Sequence, residues 1–305
     1  MTTIPGYVNA VRGKLPLPGK RSITAEASSP VAALVRRHDR DRFQTALFAP
    51  AARREALFAL YAFNYEIARV RERVREPTLG RIRLEWWRET IDLAYRGAPV
   101  RRHPVAEALV MVIRAQNPTR DHFERLIDGR EADLDHTPSA TLAALEAYAE
   151  STSSCVIYLA LELLGVRDDE PALAAARNLG IAYALAGLLR ALPWRSAAGR
   201  PVIPVDIARR SGLDPDLPPS PANRPALRRA VEEIAAAARN RLAEARRLSH
   251  RIPAAAAPAL LSAVIAERSL RRLEQAGFDP FAPGLQEPDP LQMWRLALAA
   301  LRGRF

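Results

Sequence analysis

From about residue 30 onward, apolar side chains recur at every third or fourth position, the period of an amphipathic helix. Ser29-Pro30 gives the first of these helices an N-cap hydroxyl and a proline at the first helical position, where the missing N–H costs no hydrogen bond. Pro50 and Pro77 open two more, the first marked by Leu57, Leu60, Tyr61 and Ala68, the second by Ile82, Trp86 and Leu93. The same period predicts helices over about 103–115, 119–130, 139–165, 169–192, 223–249, 254–275 and 288–302. Two-residue alternation of β-branched side chains is missing. Pro201-Val202-Ile203-Pro204 comes nearest, and its prolines forbid a central strand. The pattern predicts an all-α chain with Leu57, Leu60, Phe63, Trp87, Leu185 and Leu188 buried around a central cavity.

Five prolines between 215 and 225 interrupt the pattern, and Pro280, Pro283, Pro288 and Pro290 interrupt it again. The helix after the first break carries Val231, Ile234, Ala238, Leu242 and Ala245 on one face, which must be buried against something. Packing back on the earlier helices is the simplest solution. The expected organisation is therefore a basic arm over 1–29, one helical domain over 30–275, and an extension over 276–305 with a short amphipathic helix. No repeat of 30 to 45 residues emerges, which argues against a solenoid.

With 305 residues, 49% hydrophobic and 26% charged, the chain can bury a full core without staples. Its one cysteine, Cys155, excludes a disulfide scaffold and a Cys-rich zinc site, and its apolar neighbours predict a packed, inert thiol. The net charge is +11, and only Lys14 and Lys20 of the 45 basic residues are lysine, a skew that reads as GC-rich coding bias. The longest unbroken apolar run, 179–189, is 11 residues long, short of the roughly 18 to 20 that span a bilayer. The first 25 residues show no apolar core of a secretory signal. Residues 221–275 hold 11 Arg, 5 Glu and no Asp. That surplus suits a solvated face, or attraction to an anionic membrane surface. Without interleaved aromatics or a binding motif, it does not point to nucleic acid.

Chemistry-bearing motifs are scarce. There is no glycine-rich phosphate loop, zinc signature or nucleophile elbow, and His38, His103, His122, His136 and His250 stand singly. Carboxylates remain. Glu85, Glu89 and Asp92 share one helical face, and Glu124, Asp128, Glu131 and Asp135, with Asp133, share another. Facing each other across a bundle they could ligate Mg²⁺; with Arg81, Arg88 and Arg120 beside them they equally form ion-paired surfaces, which spacing alone favours.

Tyr61-Ala62-Phe63, Leu84-x-x-Trp87-Arg88, Leu126-Ile127-Asp128-Gly129 with Asp133-Leu134, Tyr148, Leu179-Gly180-x-Ala182, Leu189-Arg190 and Gly199-Arg200-x-x-x-Pro204 resemble, in order and spacing, the squalene/phytoene synthase family. That resemblance implies a single-domain helical bundle of the isoprenoid synthase type, in which Mg²⁺ bridges prenyl diphosphates to two aspartate-rich motifs. The chain departs from the family at both motifs. The first reads Ala68-Arg69-Val70-Arg71-Glu72, and in the second Ala191 and Arg195 replace the aspartates. Of those four ligand positions only Glu72 could hold a metal, so neither Mg²⁺ nor another cofactor is expected and Glu72 and Asp133 are the residual candidates. Arg69, Arg83, Arg190, Arg200, Tyr61 and Asp133 are the candidates for binding a diphosphate or other ligand.

Ala62-Phe63-Asn64-x-Glu66-x-Ala68, Gly80-x-x-Arg83-x-x-x-Trp87 and Leu189-Arg190-Ala191-x-Pro193 resemble a degenerate branch of the family that includes a mitochondrial assembly factor for respiratory complex I. By that resemblance the chain is non-catalytic, works with complex I subunits or assembly intermediates, and sits in the cytoplasm, peripheral to the inner face of the bacterial inner membrane. The alternatives are an active prenyltransferase using Glu72, Glu85, Glu89 and Asp133, with Mg²⁺, and a module that binds an isoprenoid or lipid.

Overall fold

The computed structural model describes residues 29–305 except 75, 136, 201, 218, 220 and 304; the arm expected over 1–29, but for Ser29, lies outside the described residues. All regular structure among the described residues is helical. The first seven helices are α1 (Pro30–His38), α2 (Arg40–Ala46), α3 (Ala51–Ala68), α4 (Val70–Arg73), α5 (Pro77–Tyr95), α6 (Pro104–Gln116) and α7 (Arg120–Ala132). Then come α8 (Leu142–Ala149), α9 (Cys155–Leu163), α10 (Glu170–Ala197) and α11 (Val205–Ser211). After the proline break follow α12 (Arg224–Arg247), α13 (Ala257–Leu260), α14 (Ser262–Gln275) and α15 (Gln292–Leu301). Local chemistry sets many of the starts. The Ser29 hydroxyl accepts from the Ala32 N–H at 3.1 Å, Thr141 accepts from Ala144 at 3.2 Å, and Asp169 accepts from Ala172 at 2.8 Å.

Helix α10 is the spine. Its central turns are apolar nearly all round, as a helix enclosed by others must be, and it packs most extensively on α12, then on α14, α9 and the segment before α9. By length and composition α10 could also cross a membrane, although here 56% of its most apolar window is buried within the protein. The uninterrupted run understated this, because Arg177, Asn178 and Arg190 end it while apolar residues continue on either side. Two large apolar clusters meet along α10. One joins α3, α6, α9 and the N-terminal half of α10 to Leu242 and Ala245 of α12; the other joins its C-terminal half to α11, the start of α12, and α14. Both draw on helices from either side of the prolines at 215–225, so the chain does not divide there.

Leu57, Leu60, Phe63, Trp87 and Leu185 are buried, but Leu188 is only partly so. Phe63 sits edge-on to Trp87 and Phe123, with centroids 5.2 and 5.6 Å apart, and ties α3 to α5 and α7. Cys155 is fully buried, and burial pushes its thiol up to about 11, in keeping with a packed residue.

Three expected helices differ. The stretch 139–165 is interrupted by a π-helical turn over Glu150–Ser154. That turn lies where α10 passes closest, against Gly180. A Cβ on Gly180 would stand 2.4 Å from the Cα of Ser154, and the Ser154 hydroxyl donates to the Arg177 carbonyl at 2.8 Å. The extra residue in the turn lets the two backbones touch. Helix α10 does not stop at Leu192 but continues to Ala197 through Pro193; near the end of a helix the ring costs a single ladder bond. The stretch 254–275 breaks at Leu261 into α13 and α14, with Pro258 opening α13.

The contact at Gly180 generates a paired prediction. Gly180→Ala forces backbone apart and should destabilise the fold by about 2–3 kcal/mol or more. Gly187→Ala, with open space around its added methyl, should stabilise α10 by up to about 1 kcal/mol. Chemical denaturation of the two variants should move in opposite directions; equal effects would mean that the close approach is not what holds α10 in place.

Candidate functional site

The two degenerate motifs come together. The end of α3 contributes Ala68, α4 contributes Arg71 and Glu72, and the end of α7 with the turn after it contributes Arg130 and Asp133. Arg195, carried inward because α10 runs past Pro193, and Arg200 close the opposite wall of a cavity of about 250 Å³. Four guanidinium groups therefore share this space with two carboxylates.

Both carboxylates are engaged. Glu72 lies 3.6 Å from Arg200 and 3.8 Å from Arg69. Asp133 accepts from the Tyr148 hydroxyl at 2.8 and 3.0 Å and lies 3.4 Å from Arg130, which also donates to the Tyr148 oxygen at 3.2 Å. Burial pushes the Tyr148 phenol up to about 12, against a smaller pull downward from Arg130. The Nε groups of Arg130 and Arg195 are buried with no hydrogen-bond partner. These residues do not fit a divalent cation. Mg²⁺ demands a near-octahedral shell of oxygens; Ala68 offers none, Arg195 puts a positive charge in its place, and the two acids are already held by cations. An oxyanion suits the cavity better, since guanidinium groups match phosphate or carboxylate and two of them retain an unused donor.

The other predicted residues are placed elsewhere. Arg69 lies over the Tyr65 ring at 5.0 Å from its centroid and donates to the Tyr65 hydroxyl, outside the cavity. Arg83 is exposed on α5 and does not line it, nor does the half-buried Ala191. Tyr61 is buried beneath Arg42, 5.9 Å from the ring centroid, and burial pushes its phenol up to about 12. Arg190 faces a second, larger cavity of about 500 Å³ between α1, α2, α10, α14 and the segment before α15. There it pairs with Asp41 at 3.4 Å, while its carbonyl accepts from Gln286 at 2.7 Å. Arg190 is thus paired with Asp41 in this second cavity and does not line the motif cavity.

The sequence already places the positive charge of Arg71 inside the first motif, where a metal would sit; what it did not single out are Arg130 and the Asp39–Arg42 pair at 2.8 Å. Arg130 stands three residues before Asp133 on a helix, so its signal was present. The carboxylate faces of α5 and α7 face each other, but around arginines. Arg88 reaches Asp128 at 2.8 Å and Glu131 at 2.7 Å, Arg120 reaches Asp92 at 3.1 Å, and Arg101 reaches Glu89 at 3.3 Å. Glu85 is mostly exposed, 3.5 Å from Arg88. These are ion-paired surfaces.

Tyr61 and Tyr148 are among several buried phenols, with Tyr95, Tyr158 and Tyr183, whose burial makes the fold sensitive to alkali. The pKa values of Tyr61 and Tyr148 are raised, from 10.0 to about 12, so their contribution is complete below pH 10 and is lost as the pH rises through about 12. Tyr148→Phe should lower stability at neutral pH by about 1–3 kcal/mol, because Asp133 loses a donor, yet should show a shallower further loss between pH 10 and 12. Denaturation midpoints of wild type and variant across that range check it; parallel curves would place the Tyr148 hydroxyl in water.

Comparison with known proteins agrees with this geometry. Residues 35–302 match the model of the squalene/phytoene synthase family. The chain is 34% identical over 272 residues to the cattle protein named NADH dehydrogenase (ubiquinone) complex I, assembly factor 6, covering 89% of this chain and 81% of that one. Over a shorter stretch, 54% of this chain and 58% of the relative, it is 28% identical to presqualene diphosphate synthase of Rhodopseudomonas palustris. Among solved structures it resembles a dehydrosqualene synthase, with a TM-score of 0.76 and 18% identity over 89% of this chain and 94% of that one. A squalene synthase from Alicyclobacillus acidocaldarius gives a TM-score of 0.71 and 23% identity over 82% and 94%. An all-α isoprenoid synthase fold, the ordered motifs and a family match spanning nearly every described helix lead to one conclusion: the chain belongs to the squalene/phytoene synthase family.

Proposed function

We propose that this protein assists the assembly of respiratory complex I and does not condense prenyl diphosphates. The observation that carries the reading is the arginine-lined cavity at the motif positions. Condensation in this family needs Mg²⁺ to stabilise the charge that builds on a departing diphosphate. Here the ligand positions hold Ala68, Ala191 and Arg195, and Glu72 is paired with Arg200. The long match to proteins named for complex I assembly supports the positive half of the reading. Its partners are then complex I subunits or assembly intermediates, it needs no cofactor, and it works in the cytoplasm at the inner face of the inner membrane.

A second reading is supported by Arg195, whose buried, unpartnered Nε lines the cavity: the protein holds an anionic lipid or isoprenoid there without chemistry. Arg195→Gln would then weaken function while leaving the melting temperature unchanged.

In a deletion strain, native gels should show less assembled complex I, with carotenoids and hopanoids unaltered. Normal complex I with missing triterpenes or carotenoids would overturn the proposal. The purified protein, given farnesyl or geranylgeranyl diphosphate, Mg²⁺ and a reductant, should yield no condensed product. Turnover that disappears on Glu72→Gln would restore the enzyme.

A further inference from the structure

Ten large apolar side chains are exposed among the described residues, and five of them fall between 291 and 301. Trp294 is 75% exposed, Leu301 86%, Leu291 51% and Leu298 47%. At roughly 100° per residue these four share one face of α15, while Leu296 points the opposite way and is fully buried against Leu261 and Ile265. The helix is fastened at both ends. Gln292 donates to Asp41 and Gln44 at 2.9 and 2.7 Å, and the carbonyl of Phe305, itself buried, accepts from Arg246 at 2.8 Å. The apolar face is therefore held outward by a rigid body.

Charge surrounds that face. A groove of about 660 Å³ runs beside α15 and is lined by Arg246, Arg268, Arg271, Arg295 and Arg302. These five guanidinium groups have two side-chain carboxylates between them. Glu267 takes Arg246 and Arg271, and Asp289 takes Arg268 and Arg295 at 3.5 and 3.1 Å. Both acids are recessed, their side chains 27% and 8% exposed. The rim thus presents a surplus of positive charge. Elsewhere along 221–275, Arg241 lies on Glu146 and Arg239 on Glu274, while Arg224 and Arg228 share Asp279. Three of the five groove arginines come from that basic stretch, and Arg295 and Arg302 add to them.

We propose that α15 and the arginine groove beside it dock on an anionic phospholipid bilayer, with Trp294, Leu298 and Leu301 entering the interface and the arginines meeting headgroup phosphates. An exposed tryptophan beside leucines, flanked by arginine, is the composition of a helix lying in the membrane plane. A second copy of the chain would bring an identical positive rim against this one, which charge opposes. The inference rests on the membrane placement in the assembly reading and names the surface responsible; vesicle binding tests it, whereas complex I levels test the assembly role.

The experiment is co-sedimentation of the full chain with vesicles of phosphatidylcholine alone or mixed with phosphatidylglycerol. Binding to the mixed vesicles, weakening with salt, is expected, together with quenching by brominated lipid that disappears in Trp294→Ala. That variant should bind on the order of tenfold more weakly with an unchanged melting temperature, since the side chain lies outside the core. Arg271→Gln combined with Arg302→Gln should abolish the preference for anionic vesicles. Absence of binding, equal binding to neutral vesicles, or self-association that Trp294→Ala removes in the absence of lipid would each overturn the proposal.

Discussion

Direct backbone contact between α10 and the turn before α9 is the constraint on which the rest of the structure depends. Gly180 has no Cβ to hold Ser154 away, and the π-helical turn supplies the residue that lets the chain bend around it. Ala172, Ala175, Ala176 and Ala182 are buried along the same helix and add little side-chain bulk there. With α10 fixed in depth and rotation, its two halves organise the two apolar clusters, and its last turns reach the end of α3. Arg195 enters the cavity for that reason, and Arg190, less than two turns earlier, faces a different one.

The family's scaffold has kept its shape and inverted its electrostatics. The positions that match the metal motifs hold Ala68, Glu72, Ala191 and Arg195, arginines from neighbouring positions share the space, and the acids left in it are paired with Tyr148, Arg130 and Arg200. A buried guanidinium without a full set of acceptors is costly, and it persists here twice, at Arg130 and Arg195. One of the aspartates is replaced by Arg195, and with Arg71, Arg130 and Arg200 beside it the cavity is lined by more positive than negative charge.

Much of this was legible in the sequence, for identifiable reasons. Ser29, Thr141, Asp169 and the prolines mark helix starts through interactions within a few residues, so those boundaries follow from local chemistry. The substitution of the metal ligands was equally plain, because each motif is contiguous. Features that depend on two distant segments were not legible. The π-helical turn exists because Gly180 arrives from elsewhere, and Leu188 is half-exposed because of where α10 turns. Arg190 looked like a ligand-binding residue by adjacency to Ala191, but one residue along a helix is a rotation of about 100°, enough to aim it at Asp41 instead. Arg130 stands three residues before Asp133 at the end of α7, a spacing that puts both on one helical face and would have marked it.

The central claim is that the residues at the two motifs reject a divalent cation. Electron paramagnetic resonance of Mn²⁺ tests it without any substrate, because the signal of the free ion falls when the ion is bound. Titration of the intact protein should leave that signal as it is in buffer up to millimolar Mn²⁺. A stoichiometric loss of signal that Glu72→Gln or Asp133→Asn reverses would mean that the cavity still holds its metal, and the account would fail.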